Sequence, residues 1–204
     1  MKKNITCPCG RIFVAEYDEE SDLDHEPEVI DKILDGTFLN FKCPGCGKNH
    51  KPEYPVFLSW PSKKLKFEVL PELDRGEFYR RKRNKSKNET IISYPELADR
   101  LAVIKDGLEP VVIEALKYYL LLKAEETYPE SEISAWYHGN GPGGVEFHLQ
   151  GIKTDEVAVM RIPADLYDKT LTDYRERPRK DIFVSLRIRS YLSVQNMLRP
   201  AIMT

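Results

Sequence analysis

Hydrophobic and polar positions alternate in short runs through the N-terminal part of the chain. The runs KNITC (3–7) and RIFVAEY (11–17) are rich in β-branched and aromatic residues, which predicts two short strands around a tight turn. The same signature returns in TFLNFKC, YPVFLSW and LKFEVLP. Between these runs, Pro27 and Gly36 enclose a predicted short helix that ends at Leu34. Two strand-turn-strand units with cysteines at their turns are the layout of a zinc ribbon.

The pattern becomes helical after about residue 93. The segment SYPELADRLAVIKDGL places Leu97, Leu101 and Ile104 on one face of a predicted helix. A second helix is predicted from Pro110 to just before Pro129, with an apolar face formed by Val112, Leu116, Tyr119 and Leu122. The short connection between them predicts a helical hairpin.

The last part of the chain mixes strand-like and helix-like patterns. ISAWYHG, VEFHLQG and EVAVMRIP have the composition of strands, and the glycine-rich HGNGPGG (138–144) predicts a wide turn between the first two. A helix is predicted to start at Pro163. The sequence therefore predicts an α+β fold in four parts: a zinc-ribbon-like domain (1–75), a basic linker or loop (76–92), a helical hairpin (93–128) and a C-terminal α+β region (129–204).

Composition excludes several classes of protein. The 204 residues are 41% hydrophobic, which is enough for a substantial core, and the formal net charge of -2 gives no global attraction to nucleic acid or membrane. The N-terminus has no apolar signal region, and the longest apolar runs are too short to span a bilayer. We therefore expect a cytoplasmic protein without a membrane partner, whose cysteines are reduced.

Four cysteines are the strongest chemical signal, and their spacing is uneven. Cys43 and Cys46 are two residues apart in Cys-Pro-Gly-Cys-Gly, a turn in which proline and glycine suit a zinc knuckle. Cys7 and Cys9 have the same proline and trailing glycine but lack one intervening residue. We favour one zinc site formed by Cys7, Cys9, Cys43 and Cys46.

Two alternatives to this ligand set remain open. In the first, one N-terminal cysteine is not a ligand and His50 takes its place. In the second, the cysteines bind no metal and only pack or undergo redox cycles. A redox role is disfavoured because redox Cys-Pro-x-Cys motifs open a helix, whereas two prolines and no helical period follow Cys46.

The two cysteine turns, about 35 residues apart with a short helix between them, resemble the CpXC family of bacterial and archaeal proteins. The resemblance continues through the helical hairpin with its Asp106-Gly107-Leu108 turn, so it covers roughly residues 4 to 125. It implies a metal site and no established activity. The chain departs from the family pattern at Cys7-Pro8-Cys9, where that pattern has a further residue.

Two other features suggest alternative functions. RRKRNKSK (80–87) has six basic residues in eight, so it could contact nucleic acid, although a solvated linker is the favoured interpretation. His138, Glu146 and His148 could meet across a hairpin and form the site of an enzyme.

The favoured function is that of a binding or interaction module with a structural zinc ion and an unknown protein partner. A closed set of four thiolates leaves no coordination position for the water that a catalytic zinc needs. We therefore lean against an enzyme acting at this ion.

Overall fold

A computed structural model describes residues 1–81 and 87–198 of the chain. It divides into two compact units, Met1–Ala98 and Asp99–Thr204. Both units combine helices and sheets, so the predicted α+β class is confirmed. The four-part division predicted from the sequence is finer than these two units.

The strands of the described residues, in chain order, are β1 (Lys2–Thr6), β2 (Ile12–Glu16), β3 (Glu20–Asp22), β4 (Phe41–Lys42), β5 (Asn49–His50), β6 (Val56–Trp60), β7 (Leu65–Leu70), β8 (Glu89–Ile92), β9 (Ser134–Gly141), β10 (Gly144–Gln150), β11 (Ala158–Ile162), β12 (Arg187–Ile188) and β13 (Tyr191–Leu192). The α-helices are α1 (Pro27–Leu34), α2 (Arg75–Arg80), α3 (Tyr94–Lys105), α4 (Pro110–Thr127), α5 (Ala164–Glu176), α6 (Asp181–Ser185) and α7 (Gln195–Leu198). Short 3₁₀ turns lie at Pro61–Lys63 and Glu72–Asp74.

Two antiparallel hairpins lie in the first unit. Strand β1 pairs with β2, and β4 pairs with β5, so each pair of cysteines lies in the turn between two strands. The predicted pair of strand-turn-strand units is therefore present. The strand predicted over TFLNFKC shrinks to Phe41–Lys42, because Leu39 takes a φ of +48°, which is incompatible with an extended strand.

The larger sheet of the first unit supplies most of its core. Strands β3, β6, β7 and β8 lie side by side in that order, with antiparallel pairing between β6 and β7 and parallel pairing at both ends. Alternate residues point inward, and those fully or almost fully buried include Val56, Leu58, Phe67, Val69 and Ile92. Strand β8 and the helix α2 lie within or next to the segment predicted as a linker.

Helix α1 follows from its sequence. Pro27 occupies the first turn, where a missing N–H costs nothing, and Val29, Ile30 and Ile33 are spaced to bury one face. The helix stops because Gly36 adopts a φ of +71°, which lets the N–H of Thr37 bond the carbonyl of Lys32 at 2.9 Å. The sequence predicted this helix with both of its ends.

The second unit is built on the antiparallel sheet β11-β10-β9. Helix α4 contacts β9, α5 and α6, and α5 also contacts β10. The prediction of which residues of α4 face the core is partly wrong, since Tyr119 and Leu122 are exposed whereas Leu120 and Leu121 are buried. The reason is that α4 is enclosed on every side from Val111 to Lys117, so no single stripe marks its core face.

The turn between β9 and β10 is tighter than predicted. The two strands extend into the glycine-rich segment until Gly141 pairs with Gly144, which leaves Pro142 and Gly143 as the turn. Proline favours the second position of such a turn, and Gly144 supplies a φ of +109° directly after it. The strands therefore continue through residues whose composition is typical of a loop.

A buried charged network lies in the second unit. Lys117 donates hydrogen bonds to Asp99 and, at 2.8 Å, to Glu114. Each carboxylate uses its other oxygen for a backbone N–H, that of Tyr137 for Asp99 and that of Val194 for Glu114, both at 2.6 Å. All three charged side chains are at least nine-tenths buried, and the buried guanidinium of Arg100 acts on Glu114 as a second positive charge.

Candidate metal centre

The first cysteine turn is closed by two backbone hydrogen bonds. The N–H of Gly10 donates to the carbonyl of Cys7, and the N–H of Cys7 donates to the carbonyl of Arg11, both at 2.9 Å. Gly10 has a φ of +85°, which a residue with a side chain rarely adopts. Residues 7–10 therefore form a four-residue turn that connects β1 to β2.

The second turn has the same plan with one residue more. The N–H of Gly47 donates to the carbonyl of Cys43 at 2.9 Å, and the N–H of Cys43 donates to the carbonyl of Lys48 at 2.8 Å. Gly47, like Gly10, is left-handed, with a φ of +74°. The missing residue of the first turn is thus accommodated by a shorter hydrogen-bonded ring, while the flanking bond and the final glycine are kept.

The two turns bring all four thiols together. The sulfur of Cys7 lies 3.5 Å from that of Cys46, and the sulfur of Cys9 lies 3.8 Å from that of Cys43. All four ligand atoms lie within 4.8 Å of one another. A tetrahedral site with metal–sulfur bonds of about 2.3 Å has sulfur–sulfur edges of about 3.8 Å, whereas a disulfide bond measures about 2.0 Å. The thiols are spaced to hold a metal ion.

Each turn contributes one buried and one exposed thiol. Cys7 and Cys43 each expose only 2% of their surface, whereas Cys9 and Cys46 are exposed. The two turns are therefore related by an approximate symmetry, in which the first cysteine of each turn lies inside and the second lies at the surface. This arrangement holds although the two spacings differ.

The two buried thiols, Cys7 and Cys43, differ in pKa. The N–H groups of Cys46 and Gly45 donate to the sulfur of Cys43 and lower its pKa to about 6 against the effect of burial. The N–H of Cys9 acts in the same direction on Cys7, but burial and the three neighbouring thiols together raise the pKa of Cys7 to about 12. Four adjacent sulfurs cannot all carry negative charge without a cation, so metal binding would have to release the remaining protons.

His50 lies next to the cluster. Its Nε2 is 3.3 Å from the sulfur of Cys7, and its ring packs edge-on against Phe13. The imidazole comes from β5, opposite Phe41, so it approaches the cluster from the side of the second hairpin. A contact to one sulfur at this distance fits an N–H···S hydrogen bond to a ligand.

Arg11 is a neighbour of the site that sequence reasoning did not single out. A Cβ atom at Gly45 would lie only 3.0 Å from the side chain of Arg11, so the arginine of the first turn packs across the glycine of the second. The side chain of Arg11 therefore lies against the turn that carries Cys43 and Cys46. Its position directly after Gly10, one residue beyond the first turn, was the available signal.

The structure also brings together His138, Glu146 and His148 in the second unit, with potential ligand atoms within 4.8 Å of one another.

The basic run 80–87 falls largely outside the described residues. Of its described members, Arg81 donates to Glu77 at 2.6 Å on the surface of the chain. Nucleic-acid contact through this run stays a prediction.

Comparisons with known proteins bear on the first cluster. A family model described as "CpXC protein" matches residues 5–117, a range that contains both cysteine turns. An uncharacterized protein of Treponema pallidum (strain Nichols) is 27% identical over 219 residues, covering 97% of this chain and 99% of the relative. No solved structure matches significantly. Among the residues that the structure describes, no helix combines the length and apolar character needed to cross a membrane.

Proposed function

Because this chain belongs to the CpXC family, we propose that its four cysteines hold one structural zinc ion in a protein that acts as a binding module. The observation that carries the proposal is the close approach of four thiols from two hairpins, with sulfur–sulfur distances of 3.5 and 3.8 Å. A set of soft thiolates in a tetrahedral arrangement selects zinc over calcium, magnesium and manganese. His50 is then a hydrogen-bond donor to Cys7 rather than a ligand.

The ion would stabilise a region with little packing of its own. Strands β4 and β5 have two residues each, and an isolated two-stranded hairpin is only marginally stable in water. Bonds from the ion to both turns would fix this hairpin against β1-β2 at their cysteine ends. Zinc binding would then contribute directly to the folding of this region, as it does in other small zinc domains.

A closed thiolate shell argues against catalysis at the ion. With four protein ligands, zinc has no position for a water molecule or a substrate. A cytoplasmic location would keep the thiols reduced and available to zinc. We therefore assign the ion a structural role and look for function on the surface of the domain that it organises.

The solvent face of β2 supports a protein partner. Ile12 and Val14 are 64% and 54% exposed on the same side of the strand, two residues apart. Neighbouring exposed apolar residues favour a protein contact more than scattered ones do. A photo-crosslinking residue at Val14 should capture a specific protein in cells, whereas the same residue at Leu73, an apolar position that is 95% exposed elsewhere in the unit, should not.

Two measurements test the zinc proposal. Protein purified without added metal should contain one equivalent of thiolate-bound zinc, and a strong chelator should unfold the two cysteine hairpins. In cobalt-substituted protein, added azide should leave the thiolate-to-cobalt charge-transfer bands unchanged, because a closed thiolate site accepts no further ligand. Metal-free protein with unchanged folding would overturn the proposal, and a change in these bands with added azide would overturn the structural role.

A further inference from the structure

A β-bulge at His138 reshapes the outer face of the sheet in the second unit. Tyr137 pairs with Phe147 and Gly139 pairs with Glu146, so His138 is an extra residue without a partner in the ladder. In a bulge of this kind two residues oppose one, and both face the side of the single residue. His138 therefore faces the same side as Glu146 and, two residues along β10, His148.

The three side chains converge closely. The imidazole rings of His138 and His148 stack with centroids 3.7 Å apart and planes inclined by 17°. The Nε2 atoms of His138 and His148 lie 3.8 and 3.7 Å, respectively, from the same oxygen, Oε1 of Glu146. These separations are longer than a hydrogen bond, so direct hydrogen bonding does not explain the convergence.

The spacing suits an ion. Bonds of about 2.1 Å from a metal to two imidazole nitrogens and a carboxylate oxygen require ligand–ligand separations of about 3.4 Å in a tetrahedron. Each nitrogen–oxygen separation would have to close by a few tenths of an ångström, and the stacked rings would have to turn so that both nitrogens face the same ion. His138 is exposed and the other two side chains are partly buried, so side-chain rotations can supply these movements.

Arg161 fixes the carboxylate. It lies opposite Glu146 on β11, and its guanidinium contacts Oε2 at 2.6 Å, which leaves Oε1 directed at the imidazoles. This hydrogen bond also lowers the pKa of Glu146, so the ligand would be ionised. Such outer contacts orient the ligands of metal sites in proteins.

We propose that His138, Glu146 and His148 bind a divalent first-row transition-metal ion with three protein ligands, at a site separate from the four thiols. A cavity of about 250 Å³ lined by His138, Glu146, Arg161 and the Gly141–Gly144 turn lies against the cluster. The ion would keep open coordination positions on that side, unlike the closed thiolate site. Imidazole ligands favour zinc, copper, iron and nickel over calcium and magnesium.

The test uses untagged full-length protein loaded with one equivalent of zinc, so that the four thiols are occupied and the second site is left free. Nickel is titrated by calorimetry into the wild-type protein and into His148→Ala, Glu146→Gln and His25→Ala. We expect one equivalent of nickel to bind the wild-type protein. Loss of an imidazole ligand should weaken binding by at least about 100-fold, and Glu146→Gln by at least about 10-fold. His25→Ala, which removes an exposed histidine of the first unit, should bind as the wild type does.

The outcomes separate this site from the thiol site. Zinc content and circular dichroism should stay unchanged in all variants, because the three side chains are not part of the core. If His148→Ala fails to fold, Glu146→Gln decides the result. Absence of nickel binding in the wild type, or binding that survives both substitutions, would overturn the proposal and leave a surface ion-pair cluster only.

Discussion

The sulfur atoms of Cys7 and Cys46 lie 3.5 Å apart, although 39 residues separate them in the sequence. Cys9 and Cys43 form the corresponding pair at 3.8 Å, so each hairpin turn shares sulfur contacts with the other. Without a cation, these contacts bring together groups that repel one another once they ionise. A shared metal ion is the simplest physical reason for the two turns to meet.

The first prediction removes one ligand. Cys7→Ser should lower zinc affinity by at least about 100-fold and destabilise the first unit, since a serine hydroxyl does not replace a thiolate at zinc. Competition with a chromophoric chelator measures the affinity, and thermal unfolding measures the stability. Thr6→Ser, an exposed change at the adjacent position, is the control and should behave as the wild type does. Retention of tight zinc by Cys7→Ser would exclude Cys7 as a ligand.

The second prediction separates a ligand from its hydrogen-bond donor. His50→Ala should keep one equivalent of zinc but bind it about 10–100-fold more weakly, because the donor to Cys7 at 3.3 Å is lost. His50→Gln can still donate from its amide and should recover part of the affinity. The same chelator competition measures both variants. Loss of stoichiometric zinc in His50→Ala would instead identify His50 as the fourth ligand.

The third prediction concerns the backbone of the first turn. Gly10→Ala should destabilise the first unit by about 1–2 kcal/mol, because a Cβ atom there is strained at a φ of +85°. Gly76→Ala in helix α2 is the matched control, since neither position has another atom within 4 Å of the new Cβ. The control should be neutral or stabilising by up to about 1 kcal/mol. Equal effects of the two substitutions in chemical denaturation would contradict the turn geometry.

The fourth prediction concerns the buried charges of the second unit. Burial acts to lower the pKa of Lys117, but the carboxylates of Asp99 and Glu114 together raise it above its usual value. Lys117→Met would remove the cation to which both carboxylates bond and should cost about 3–5 kcal/mol of unfolding free energy. Lys123→Met, at an exposed position of the same helix, should change stability by less than about 0.5 kcal/mol. A cost below about 1 kcal/mol for Lys117→Met would show that the network is not charged as described.

The local signals of this sequence predicted most of the elements. Pro27 and Gly36 marked both ends of α1, and the cysteine turns marked the two hairpins. These features act over a few residues, so they can be recognised without the rest of the chain. The same reasoning gave the α+β class and the four cysteines as candidate ligands.

What the sequence did not predict depends on contacts between distant residues. The bulge at His138 follows from the register between β9 and β10, which composition does not determine. The burial of Lys117 follows from the enclosure of α4 on all sides. Glu114 and Lys117, three residues apart among apolar neighbours, were a signal of this network that could have been used.

The most direct test of the central claim is zinc K-edge X-ray absorption of the protein as purified, using the His148→Ala variant so that the proposed second site does not contribute. A zinc ion bound by Cys7, Cys9, Cys43 and Cys46 predicts four sulfur neighbours at about 2.3 Å and no nitrogen in the first shell. Three sulfurs with one nitrogen at about 2.0 Å, or protein without bound zinc, would contradict it.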